Sequence, residues 1–138
     1  MRKPEVILQV AISTPLNQLF DYRAPDGNNT AEPGKRVRVP FGKREQVGII
    51  VAVTDSTDIP ANRLRTAKEI LDTTPLLDPE LLQLVHWSAG YYQQAPGEAF
   101  AAALPALLRR GDQAIPAQQT LWSATPAGHA VNLAELAV

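Results

Sequence analysis

Phe20-Asp21-Tyr22 sets one carboxylate between two aromatic rings. On a strand the two rings share a face and the acid points the other way. A carboxylate repels phosphate, but it accepts a charge-assisted hydrogen bond from a sugar hydroxyl. A terminal phosphate or a continuing strand at that spot would be rejected, because it brings negative charge to the acid. An aromatic ring beside it stacks on any base, at about 1–3 kcal/mol per base. The opposing reading is two core aromatics and a solvated acid, the commoner fate of these residue types.

Cations follow in a block. Between residues 34 and 68 stand Lys35, Arg36, Arg38, Lys43, Arg44, Arg63, Arg65 and Lys68, opposed only by Glu45, Asp55 and Asp58. That segment carries +5, whereas the whole chain of 138 residues carries −1. Such a block forms either an anion-binding face or the solvated edges of strands, which Lys and Arg blunt. As a binding face, Lys35, Arg36, Arg38, Lys43 and Arg44 would hold backbone phosphates without reading sequence. One acid among these bases could then recognise the end of a strand without reading its bases.

Catalytic arrangements are missing from the sequence. Phe41-Gly42-Lys43-Arg44 lacks the upstream glycine and the following Ser or Thr of a phosphate loop. There is no cysteine, hence no disulfide, thiolate nucleophile or thiolate metal site. His86 and His129 lie far apart, and His86 is expected on a helix surface. No catalytic residue, metal ligand or cofactor is assigned to this chain. No apolar run approaches the roughly 18 residues of a membrane span. The segment after Met1-Arg2-Lys3-Pro4 reads as a strand and not as a signal peptide.

Short elements must position these groups, since 12 prolines punctuate the chain. Residues 5–12 predict a buried strand, and residues 19–23 a second one ended by Pro25-Asp26-Gly27. Residues 28–33 read as an exposed loop. Residues 35–41 alternate, with Arg36 and Arg38 on an outer face and Val37 and Val39 inside. Residues 46–53 return as a strand buried on both faces, completing a hairpin, with Gly48 at a bulge or close approach. Residues 68–72 suggest one more strand.

Asp78-Pro79-Glu80 predicts a helix start, with Leu77 and Leu82 as a hydrophobic staple. Leu81, Leu84, Val85, Ser88, Tyr91 and Tyr92 would fall on one side of it, with both tyrosines in packing roles, and Pro96-Gly97 would end it. Residues 98–104 form a second helix. Residues 107–111 lead into a linker over 112–119, residues 120–124 suggest a strand, and Thr125-Pro126 another helix start.

Read in order, the motifs resemble a known family. Phe20-Asp21-Tyr22, Pro25-x-Gly27, the run from Gly34 through Arg36-Val37-Arg38-Val39-Pro40-Phe41-Gly42-Lys43, and Val47-Gly48-Ile49-Ile50-Val51 resemble the start of the PriA family of replication-restart helicases. Trp87-Ser88-Ala89-Gly90-Tyr91-Tyr92, Pro96-Gly97-Glu98, Leu104-Pro105 and Leu107-Leu108-Arg109 are similar to later family segments. The likeness covers about residues 5–111.

The resemblance implies an α+β, mainly β fold: a small β-barrel or sandwich-like DNA-binding domain over residues 1–111, followed by helices. After the linker, residues 120–138 would be the truncated start of a winged-helix domain. The implied function is binding the 3′-hydroxyl end of a nascent leading strand at stalled forks, in primosome assembly and replication restart. Asp21 then accepts the terminal hydroxyl, flanked by Phe20 and Tyr22. Gly42 admits the nucleotide closely, and Arg65 stands where the family commonly has lysine.

Implied partners are forked and single-stranded DNA and, for the full-length family, single-strand-binding protein and primosome proteins. The alternative reading is a protein-interaction domain docking those same proteins. The helicase motor, with its ATP, magnesium and zinc, is expected outside this chain, which is expected to be non-enzymatic, monomeric and cytoplasmic.

Overall fold

Five strands, each started or stopped by glycine, proline or a polar turn, make up the amino-terminal half. A computed structural model describes residues 5–27, 30–116 and 118–135. The strands are β1 (Ile7–Ala11), β2 (Phe20–Arg23), β3 (Arg36–Phe41), β4 (Arg44–Thr54) and β5 (Glu69–Ile70). They form one antiparallel sheet in the order β2-β1-β4-β3-β5. The sheet is open and does not close into a barrel. A parallel bridge between Arg23 and Thr66 nevertheless lays the segment before β5 against β2, at the opposite edge. The fold is thus α+β and mainly β. Met1 to Pro4 and, from the expected loop, Asn28 and Asn29 lie outside the described residues.

Strand alternation sorts side chains onto two apolar clusters. On one face Leu8, Val10, Tyr22, Val37, Val39 and Ile50 pack together, with Phe20 and Phe41 at the margin. On the other, Ala11 and Ile49 meet Leu77, Leu82, Phe100 and Leu104 from the helical half. β4 is buried through Gly48, Ile49 and Ile50 only, and Val53 is exposed, so it is less buried than its apolar sequence predicts. The β3–β4 hairpin pairs Phe41 with Arg44, leaving Gly42-Lys43 as a two-residue turn. Gly42 has φ +61°, the left-handed region a primed turn needs at its first position.

The helices are α1 (Pro79–Tyr91), α2 (Pro96–Ala102), α3 (Ala106–Arg110) and α4 (Pro126–His129), then a 3-10 turn at Leu133–Glu135. Asp78 caps α1 by accepting from Leu81 N–H at 2.8 Å, and Leu77 and Leu82 are both buried beside that cap. The buried stripe of α1 is Leu82 and Ala89 with Val85 half-buried, not the face of Leu81, Leu84, Tyr91 and Tyr92. α1 packs against α2, and Ala89 is buried.

Pro96-Gly97 opens α2 and does not merely end α1. Gly97 is needed because a Cβ there would overlap the Ile12 carbonyl. Residues 107–110, expected as a linker exit, belong to α3, which Gly111 ends in a left-handed conformation. Residues 120–124 form no strand. The expected helix start holds, with Thr125 capping Gly128 N–H.

Candidate nucleic-acid interface

Three chain segments converge at the start of β2. Tyr22 stands opposite Leu8 and is 5% exposed. Its hydroxyl donates to the Pro40 carbonyl at 2.8 Å. Phe20, on the same face, meets Phe41 edge to face, with centroids 5.2 Å apart. Arg65 donates from its guanidinium to the Gly42 carbonyl at 3.3 Å. Burial raises the Tyr22 phenol above its ordinary pKa, and the Arg65 charge opposes that rise. Phe20, Tyr22, Gly42 and Arg65 are therefore neighbours, although they come from β2, the hairpin tip and the segment before β5.

Asp21 faces the other way, opposite Gln9. Its Oδ2 accepts a hydrogen bond from the Thr57 hydroxyl at 2.5 Å. Arg23 N–H donates to the Arg65 carbonyl, and Ala67 N–H to the Arg23 carbonyl. Backbone groups alternate along a strand, so the N–H and C=O of Asp21 point to that same edge. The ladder with residues 65–67 stops at Arg23, and no described strand lies beside Asp21. An open strand edge, a half-buried carboxylate and an aromatic–cation cluster thus adjoin at residues 20–23.

The cation block divides sharply, and Lys35 and Arg36, expected to hold phosphate, are buried. Arg36 is 1% exposed, not on a solvated outer face. Its Nε and NH2 donate to the two oxygens of Asp72 at 3.0 and 2.8 Å. Its NH1 donates to the carbonyls of Leu108 and Asp112. Lys35 is likewise buried, with Nζ on the Thr30 carbonyl and beside Glu32. Alternation located Arg36 on the correct side of β3. It could not reveal that residues 72 and 108–112 cover that side. Both cations are committed to the fold and cannot reach phosphate without leaving these partners.

Arg38 is partly exposed and pairs with Glu69 at 3.0 Å. Lys43 and Arg44, at the hairpin tip, are exposed and have no side-chain partner among the described residues. The same holds for Arg63, and for Arg109 and Arg110 in the last turn of α3. Sequence places the last two on the expected linker exit, whereas they form a cation pair beside the Gly111 stop of α3. Tyr91 and Tyr92, expected to pack, are exposed instead. Trp87 and Tyr91 stack at 5.0 Å, with Tyr92 edge-on to Tyr91 at 4.9 Å. Among the described residues no cluster of potential metal ligands occurs, and no helix is long and apolar enough to cross a membrane.

Comparison with known proteins gives concordant results. The family model of the PriA 3′DNA-binding domain (3′BD) matches residues 9–105. The chain is 38% identical over 122 residues to the replication restart protein PriA of Haemophilus influenzae, covering 88% of this chain and 17% of that protein. It is 34% identical over 110 residues to PriA of Bacillus subtilis, covering 79% of this chain and 14% of that one. Against PriA of Treponema pallidum identity is 32% over 107 residues, covering 74% and 16%. The chain thus spans less than a fifth of the length of these relatives.

Proposed function

We infer the function from one premise: the chain belongs to the PriA 3′DNA-binding domain (3′BD) family. It binds the 3′-hydroxyl end of a DNA strand, with Asp21 accepting the terminal hydroxyl. The observation that carries this reading is the position of Asp21. Its backbone lies on an open edge, with its carboxylate on one face and the Phe20, Tyr22, Gly42 and Arg65 cluster on the other. A base or sugar can bond to the edge backbone, the half-buried Phe20 ring can stack whereas Tyr22 is held in the core, and Arg65, Lys43 and Arg44 supply charge for preceding phosphates. On this reading the domain acts, within a longer PriA-type protein, on the nascent leading strand of a stalled fork in primosome assembly and restart. The helicase activity, with ATP, magnesium and zinc, resides in other parts of such a protein.

The test compares oligonucleotides ending in 3′-hydroxyl and 3′-phosphate. A hydrogen bond to a charged group contributes about 1.5–3 kcal/mol, so the hydroxyl end is favoured by roughly tenfold or more. Asp21→Ala removes that preference. Equal binding of both ends by the unaltered chain would remove the mechanism.

A second reading rests on the exposed Trp87–Tyr91–Tyr92 stack. Exposed aromatics of this kind anchor protein partners, and a single-strand-binding protein or another primosome protein would dock there. Titration with an acidic, aromatic-ended peptide tests it: Trp87→Ala abolishes peptide binding and leaves DNA binding intact.

A further inference from the structure

Resting on the 3′-end reading, we propose that Thr57 is the positioning residue that aims the Asp21 carboxylate and sets the preference for a terminal hydroxyl over a terminal phosphate. The hydroxyl of Thr57 is committed on both sides. Its oxygen accepts from the backbone N–H of Ile59 at 3.2 Å. Its single proton goes to Asp21 Oδ2 at 2.5 Å. The bond to Asp21 uses the hydroxyl's one proton, and the Ile59 N–H fills one of its two acceptor positions. The relay runs from Ile59 through Thr57 to Oδ2. It ties the loop after β4 to β2, 36 residues away in sequence.

The consequence falls on the other oxygen. Oδ1 of Asp21 has no hydrogen-bond partner among the described residues. With Oδ2 fixed by Thr57, the carboxylate cannot turn freely, and Oδ1 is presented as a pure acceptor. A sugar hydroxyl, which can donate, satisfies it. A phosphate monoester, which arrives with negative charge and acceptor oxygens, does not. Charge around the relay reinforces the choice. Asp55 and Asp58 flank Thr57 in the same exposed loop. A strand continuing past its terminal sugar would enter the field of these two acids as well as that of Asp21.

Thr57→Val keeps the size and branching of the side chain and removes the hydroxyl, whereas Thr57→Ser keeps the hydroxyl. The readout is the ratio of affinities for 3′-hydroxyl and 3′-phosphate oligonucleotides, measured with the whole 138-residue chain. Losing the orientation this hydrogen bond provides corresponds to a roughly two- to tenfold loss. Thr57→Val therefore lowers the ratio by that factor, leaves affinity for the phosphate-ended strand and the salt dependence unchanged, and Thr57→Ser restores the ratio.

A Val variant that keeps the full ratio overturns the proposal and leaves the 3′-end reading standing. A Val variant that weakens both ends alike, with Ser unable to rescue, reduces Thr57 to a structural role and overturns it too. An unaltered chain with no preference overturns both readings together.

Discussion

Replacing Asp72 with alanine puts the correction at Arg36 to its strictest test. The guanidinium is 1% exposed and the carboxylate 6%. Asp72 accepts three hydrogen bonds from one residue: the Arg36 backbone N–H at 2.8 Å, Nε at 3.0 Å and NH2 at 2.8 Å. Its removal strands a buried charge and a backbone donor at once. Removing one partner of a buried pair costs about 3–5 kcal/mol, against a total stability of about 5–15 kcal/mol for a domain.

With a urea slope of about 2 kcal/mol/M, the unfolding midpoint falls by roughly 2 M. Circular dichroism during urea titration measures it. The paired variant Arg36→Met, Asp72→Leu removes both charges and recovers most of the loss, since apolar replacement of a buried pair is near neutral. In that variant the salt dependence of DNA binding is unchanged. A loss under about 1 kcal/mol for Asp72→Ala would refute the burial argument. A salt slope lowered by about one in the paired variant would refute the assignment of Arg36 to the fold, because that is the mark of one lost phosphate contact.

Further outcomes are expected. Lys43→Ala at the hairpin tip lowers affinity alike for all DNA sequences and reduces the salt slope by about one, measured by titration at several salt concentrations. Tyr22 holds its proton more tightly in the folded chain than in the unfolded one, whose ordinary value is 10.0. Its contribution to stability is therefore whole below about pH 10 and is lost as the pH rises through the raised folded value. Tyrosinate absorbance follows the ionisation of the three tyrosines. Tyr22→Phe deletes the late part of the curve, and Arg65→Gln moves it later still, because the opposing charge is gone. Tyr22→Phe also leaves the Pro40 carbonyl without its donor, at about 1 kcal/mol of stability.

The hairpin, the Asp78 cap and the Phe20-Asp21-Tyr22 alternation were legible because each is written in residues two to four apart. Val37 and Val39 announce their shared face within β3, and Gly42-Lys43-Arg44-Glu45 announces a turn, which the structure shortens to Gly42-Lys43. Local pattern could not see partners that arrive from far along the chain. Arg36 is buried by Asp72 and by the end of α3, which lie 36 and 72–76 residues away. Thr57 reaches Asp21 across 36 residues, and nothing in its own neighbourhood signals it.

The α1 face was misjudged for a related reason. Large residues outweigh Ala89 in the sequence pattern, while the structure buries Leu82 and Ala89. Trp87, Tyr91 and Tyr92 were thereby left outside.

The gap in the ladder at Asp21 has a cost in the test tube. Unpaired strand edges template association with other chains, and proteins usually blunt them. The far end of β3 carries Pro40, which offers no N–H, and the outer side of Arg23 is covered by residues 65–67. At Asp21 the usual protection is relaxed, and its carboxylate is the main guard against self-pairing. Concentrated samples kept without oligonucleotide should thus self-associate through that notch, and Asp21→Ala, which strips the guard, should aggregate sooner than the parent.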